Sequence, residues 1–279
     1  MSTNGSASNG SAPAPSQSAP GLMRAHPAAL WLLRHGESSG NKARDEAEAD
    51  GRAVIDIAER DMDVPLSDLG RSQAHSVGQW VAEMTSDGDE QLPTVVYVSP
   101  YLRAVQTAEI ALQAAGLGDL PRIVDERFRE REFGILDGLT IRGIRERFPE
   151  EADRRARLGK FYHRPPGGES WADVAQRVRS ALTEIGREHA GERVLIVAHQ
   201  VVILLVRYVL ERLSEAEILE ISRAEEIANC SLSRFDWDGA EGSDGKAATV
   251  TLQAWNGTSP LDEEGEVVTS DPDIPAGPR

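Results

Sequence analysis

Two short apolar runs in this chain each stop at a histidine. Residues 28–33 read Ala-Ala-Leu-Trp-Leu-Leu and lead into Arg34-His35-Gly36. Residues 193–198 read Arg-Val-Leu-Ile-Val-Ala and lead into His199. Neither run alternates apolar with polar, as a half-exposed strand would. A continuous run of strand length belongs to a strand buried on both faces, and such strands occur in parallel sheets covered by helices on each side.

The rest of the chain supplies those helices. Residues 94–98 form another buried strand and 122–124 a short one, with strands 230–235 and 249–255 near the end and a Gly- and Asp-rich turn, 236–246, between them. Helical patterns cover 71–84, with Ser67 or Asp68 near the cap, then 101–115, closing at Gly116. Further helices are expected over 140–148, 171–189 and 201–213. Within 171–189, Trp171, Val174, Val178, Ala181, Leu182 and Ile185 share one face. Residues 41–63 read as a charged loop with at most a helical turn, and 149–165 show no clear period. Strands alternating with helices predict an α/β fold, a three-layer sandwich with a mainly parallel central sheet and helices on both faces. Ligands of such sheets bind beyond the carboxyl ends of the strands, where His35 and His199 both fall.

Composition sets the domain boundaries. Residues 1–20 are almost wholly Ser, Ala, Gly, Asn, Pro and Thr and are expected to be a disordered low-complexity tail; residues 257–279 are acidic, rich in Pro, Gly and Ser, and read the same way. One folded domain, 21–256, is left between them. The net charge of −16 argues against nucleic acid or an anionic membrane surface as a partner. No run is long enough to span a membrane and no signal peptide is recognisable. The single cysteine, Cys230, excludes an internal disulfide or a CxxC site and suits a cytoplasmic protein.

The chemistry is read from the histidine turns. A histidine ring nitrogen can attack phosphorus, and it needs positive neighbours that hold the phosphoryl oxygens. Arg34 offers a bidentate guanidinium, and Gly36 would let the backbone approach a phosphate. Arg103 falls in the first turn of a helix that follows a strand, where the helix N-terminus also favours anions. His199 sits where it could stabilise charge on the transferred group. Each residue alone fits an ordinary structural role better than a catalytic one.

Taken together and in order, these segments resemble the histidine phosphatase, or phosphoglycerate-mutase-like, superfamily. The matching pieces are residues 33–38 (Leu-Arg-His-Gly-Glu-Ser), Asn41, residues 65–70 with Gln73 and Ala74, Ser99-Pro100 with Arg103-Ala104 and Gln106-Thr107-Ala108, Glu130 with Gly134 and Gly138, residues 166–170, and Ala198-His199. The resemblance spans roughly 28–255. It implies that His35 is the phosphoryl-accepting nucleophile, that Arg34, Arg103 and His199 complete the phosphate pocket, and that Asn41 and Ser38 add substrate contacts. Several carboxylates crowd 125–132; the family places its acid four residues before a glycine, which selects Glu130 over Glu126 and Glu132. The mechanism implied needs no cofactor and no metal, and the histidines lack metal-ligand spacing.

The resemblance leaves the branch open. Only 69 positions separate Glu130 from His199, short for the cap of a cofactor-dependent mutase. Residues 148–170 and the pair His199-Gln200 look more like the bisphosphatase half of the bifunctional fructose-2,6-bisphosphate enzymes. On that likeness Lys160 and Tyr162, with Arg155 or Arg157, become candidate substrate ligands. No GxxxxGK[ST] kinase loop is present. The expectation is hydrolysis of a small phosphorylated metabolite. Mutase-type transfer is the alternative, and a phospho-ligand binding module a more distant one.

Overall fold

The computed structural model describes residues 25–86, 92–238 and 248–270. Six strands form one sheet: β1 (Ala29–Arg34), β2 (Val95–Val98), β3 (Arg122–Val124), β4 (Arg193–Ala198), β5 (Leu232–Asp238) and β6 (Thr249–Gly257). Their order is β3-β2-β4-β1-β5-β6. The first four of these are mutually parallel, while β5 and β6 run antiparallel at one edge. β1 and β4 are adjacent and in register, with Arg34 opposite Ala198, so the turns that follow them start side by side.

The residues of the buried strands divide cleanly between two cores, as the pleat requires. Leu30, Leu32, Val95, Tyr97, Val194 and Ile196 face one core, shared with α6 (Trp171–Glu188) and α7 (Gln200–Leu210). Leu33, Val96, Val98, Leu195 and Val197 face the other, shared with α2 (Asp68–Ser86) and α3 (Leu102–Ala114). This is the three-layer α/β sandwich expected from the sequence. Among the described residues no helix is long and apolar enough to cross a membrane.

Three segments differ from the expectation. Residues 39–49 form a helix, α1 (Ser39–Ala49), where a loop was expected. Only Ala47 is buried along it, so its apolar period is too weak to read; its start is fixed by a capping box between Ser38 and Asn41. Beyond α4 (Ile141–Arg147), residues of the unplaced stretch form α5 (Pro149–Leu158), with proline at its first turn.

The third difference is the acidic tail from 257. Residues up to 270 are built into the domain: α9 (Ser259–Glu264) packs on α2, with Leu261 fully buried. Gln73 Nε2 then donates to the carbonyl of Val267 at 2.8 Å, and Asn229 N donates to that of Thr269 at 2.8 Å. One buried leucine and these hydrogen bonds order a segment whose composition predicted none. Residues 271–279, and the N-terminal stretch 1–20, lie outside the described residues. Leu261→Ala should therefore cost about 2–5 kcal/mol, as a buried leucine does. Urea unfolding checks this, because a change within about 0.5 kcal/mol is what an exposed position would give.

Candidate active site

The site is built where β1 and β4 end. His35 continues β1 by one residue: its N–H donates to Ala198 O at 3.0 Å, across to the end of β4. Its ring is turned back on its own backbone, with Nδ1 2.7 Å from Gly36 O. A carbonyl only accepts, so Nδ1 carries the hydrogen and Nε2 keeps its lone pair. The loop is held further by Gly36 N donating to Thr107 Oγ1 at 3.0 Å and by Asn229 Nδ2 donating to His35 O at 3.0 Å. Glu37 N donates to Gln73 Oε1 at 2.9 Å. Thr107 and Gln73 were legible only as pieces of a matching pattern; their work is to brace this turn.

Gly36 has a different reason for being glycine from the one expected. A Cβ there would lie 2.5 Å from Gly70 O, and one on Gly70 would lie 1.9 Å from Glu37 O. The two backbones cross with no room for a side chain, which locks the His35 turn against the start of α2.

His199 caps α7 and is wholly buried. Its ring centroid is 5.0 Å from that of His35, tilted by 59°. Its Nε2 is 2.7 Å from Ser99 Oγ, while Nδ1 has no hydrogen-bond partner and lies 3.7 Å from Glu130 Oε2. The pKa values of both histidines are pushed well below their ordinary 6.5. Burial is the main cause in each case. For His35 the charges of Arg103 and Arg34 add to it; for His199 those of Arg103, His35, Arg177 and Arg34 do. Both rings are therefore neutral near pH 7.

Three cationic or acidic groups surround them. Arg34 is buried and donates to Ile227 O. Arg103 is buried in the first turn of α3, and stacks over the Tyr101 ring at 4.9 Å. Glu130 is positioned by its neighbours: its Oε1 accepts from Arg131 N at 2.7 Å, and Arg177 Nη2 donates to its carbonyl at 3.2 Å. Arg34, His35, Ser38, Asn41, Arg103 and Glu130 all line one cavity of about 340 Å³, a volume suited to a small metabolite. Glu126 is exposed elsewhere, on a short 3₁₀ turn.

Other expected ligands sit differently. The Asn41 carboxamide oxygen is engaged by Ser38 N at 2.8 Å and Ser38 Oγ at 2.8 Å, so both residues serve the helix cap as well as the cavity. Lys160 and Tyr162 are not among the cavity-lining residues, and neither are Arg155 and Arg157. The chain turns at Gly159, which has φ +79°, and then packs Phe161 and His163 inward. His163 Nε2 meets Glu151 at 3.1 Å, and Tyr162 between them is 56% exposed. The Lys160 ammonium lies 4.5 Å over the Trp171 ring and donates to Ser222 Oγ at 3.1 Å. This places it beside α8 (Glu215–Ala224), outside the lining of the cavity that holds His35.

The sequence model of the histidine phosphatase superfamily, branch 1, matches residues 30–244. The chain belongs to this superfamily. Phosphoglycerate mutase-like protein 4 of Arabidopsis thaliana is 33% identical over 239 residues, 85% of this chain and 89% of that one. A 2,3-bisphosphoglycerate-dependent phosphoglycerate mutase of Sinorhizobium fredii is 33% identical over 197 residues, 70% and 85% of the two chains. A mycobacterial glucosyl-3-phosphoglycerate phosphatase, solved with VO3, superposes with TM-score 0.60 at 26% identity over 82% of this chain and 98% of that one. This histidine phosphatase domain is thus similar to mutases and to phosphatases alike.

Sequence reading missed one neighbour of the cluster. Asp61, on a short 3₁₀ turn, accepts from Arg103 through both carboxylate oxygens, at 2.9 and 3.3 Å, and through its carbonyl at 2.6 Å. In a stretch of alternating acids nothing marked it out. An incoming anion meets Asp61 on the Arg103 guanidinium. With its side chain 38% exposed, the pair is worth at most about 1 kcal/mol. Asp61→Asn should therefore tighten binding of inorganic phosphate roughly two- to fivefold, measured by calorimetry. Unchanged or weaker binding would mean that Asp61 orients Arg103 rather than competing for it.

Proposed function

We propose that this chain hydrolyses phosphomonoesters of small metabolites through a phosphohistidine at His35. The observation that carries the reading is the ring of His35. Its Nδ1 hydrogen is engaged by Gly36 O, so the neutral Nε2 is left as the nucleophile in a cavity shared with Arg34, Arg103 and Glu130.

Nε2 attacks phosphorus while the bond to the ester oxygen breaks. The buried guanidinium groups of Arg34 and Arg103 hold the non-bridging oxygens as charge shifts onto them, and His199 Nδ1 and Asn41 Nδ2 supply neutral contacts. Protonated Glu130 gives its proton to the departing oxygen. As a carboxylate it then takes a proton from water, which attacks the phosphohistidine and releases inorganic phosphate. The cycle as a whole begins and ends with His35 neutral, the state that burial and the flanking arginines favour.

Mutase-type transfer uses the same groups and differs in keeping water away from the phosphoenzyme. A cap whose helices are only α4 and α5 favours hydrolysis. The similarity to named phosphoglycerate mutases keeps transfer as the second reading.

With p-nitrophenyl phosphate as substrate, His35→Ala should abolish hydrolysis and Glu130→Gln should lower kcat on the order of 10²-fold, the usual worth of a general acid. Glu126→Gln should leave the rate within about twofold, as expected of an exposed charge away from the cavity. A full rate in His35→Ala, or the large loss in Glu126→Gln, would overturn the assignment. A mutase assay on 3-phosphoglycerate alongside decides between the two readings.

A further inference from the structure

The peptide group between Gly36 and Glu37 is gripped at both ends. Its carbonyl accepts the Nδ1 hydrogen of His35 at 2.7 Å, and its N–H donates to Gln73 Oε1 at 2.9 Å. A peptide group is planar, so these two contacts move together. The preceding peptide is held in the same way. Gly36 N donates to Thr107 Oγ1 at 3.0 Å, and His35 O accepts from Asn229 Nδ2 at 3.0 Å. Gln73 and Asn229 are both fully buried.

The far ends of these two carboxamides meet at Thr269. Gln73 turns its oxygen to Glu37, so its Nε2 faces Thr269 Oγ1 at 3.1 Å, as well as Val267 O at 2.8 Å. Asn229 turns its nitrogen to His35 O, so its Oδ1 faces Thr269 Oγ1 at 3.0 Å. The group between them has to accept from the first carboxamide and donate to the second. A hydroxyl does both, and a methyl group does neither. Hydrogen bonds therefore run from Glu37 N through Gln73, Thr269 and Asn229 to His35 O, a ring closed around Gly36. Turning either carboxamide over would set donor against donor or acceptor against acceptor.

Thr269 lies beyond residues 30–244, the stretch that matches the superfamily model. The segment that carries it is fastened without its side chain. Leu261 is buried, Asn229 N donates to Thr269 O at 2.8 Å, and Ser270 Oγ donates to Glu226 Oε2 at 2.8 Å. Loss of the hydroxyl would leave the segment docked and would fall on the two carboxamides that hold the turn.

We infer that Thr269 is a positioning residue for His35. Its hydroxyl keeps Gln73 and Asn229 in the orientations that fix both peptide planes of the turn, and through Gly36 O the direction of His35 Nε2. Thr269 does not line the cavity that holds His35, so it acts only through the turn. The inference rests on His35 as the nucleophile.

Thr269→Val keeps the shape of the side chain and removes the hydroxyl, while Thr269→Ser keeps the hydroxyl. One readout is kcat and KM for p-nitrophenyl phosphate. The other is hydrogen exchange of the Glu37 amide, followed by NMR with the amides of β4 as reference. Thr269→Val should lower kcat about tenfold with KM within about twofold, and the Glu37 amide should exchange about tenfold faster relative to β4, the scale of one lost buried hydrogen bond. Thr269→Ser should stay within about threefold of wild type in both. Val268→Ala, at an exposed position on the same segment, should change neither. The inference is overturned if either readout of Thr269→Val stays within about twofold of wild type, or if Thr269→Ser or Val268→Ala loses as much. Thr269→Ala decides by the same limits if Thr269→Val does not fold. If the wild type hydrolyses no phosphomonoester, the phosphohydrolase reading fails by itself, and the exchange ratio alone decides whether the hydroxyl fixes the turn.

Discussion

The site depends on how one peptide turn is fastened at the end of β1. His35 N–H is bonded to Ala198 O, its carbonyl to Asn229, and its ring to Gly36 O. The carboxyl ends of two adjacent parallel strands thus bring both histidines within 5.0 Å, while one intraresidue-scale contact selects the tautomer. The same turn is crossed by the backbone at Gly70, so the start of α2 packs directly against the His35 loop. Residues 267–269, far along the chain, touch two of the three polar side chains that hold this turn, Gln73 and Asn229. His35 is braced by β4, α2, α3 and the C-terminal segment together, which is the preorganisation that the proposed phosphoryl transfer needs.

Electrostatics then separates roles within one family of groups. The chain as a whole repels anions, yet four arginines line a single cavity. Two of them, with burial, hold His35 and His199 neutral, the state the proposed attack by His35 requires. Asp61 pairs with the Arg103 guanidinium.

Much of this was legible in the sequence, and the parts that were not have physical causes. The buried strands announced themselves because both faces of each are covered, and the histidines followed because the carboxyl ends of such strands are where sites form. Arg34, Arg103 and Glu130 all line the cavity as expected. α1 escaped because a surface helix with one buried residue leaves no period to read. The segment 257–270 escaped because its order comes from tertiary contacts, chiefly Leu261, and not from composition. Lys160 and Tyr162 were assigned by likeness to another branch. In this chain the turn at Gly159 sends the one to Trp171 and Ser222 and the other to solvent. Asp61 and Arg44 are single charges in charged stretches, and only packing shows which charges face a cavity.

The central claim is that His35 Nε2 takes the phosphoryl group. Rapid quenching in alkali during turnover of a phosphomonoester, followed by mass spectrometry of the peptide containing residues 34–36, tests it most directly. The account predicts an alkali-stable, acid-labile phosphate on His35 that forms at least as fast as turnover. Turnover with no phosphorylated peptide, or with the phosphate on His199, would contradict it.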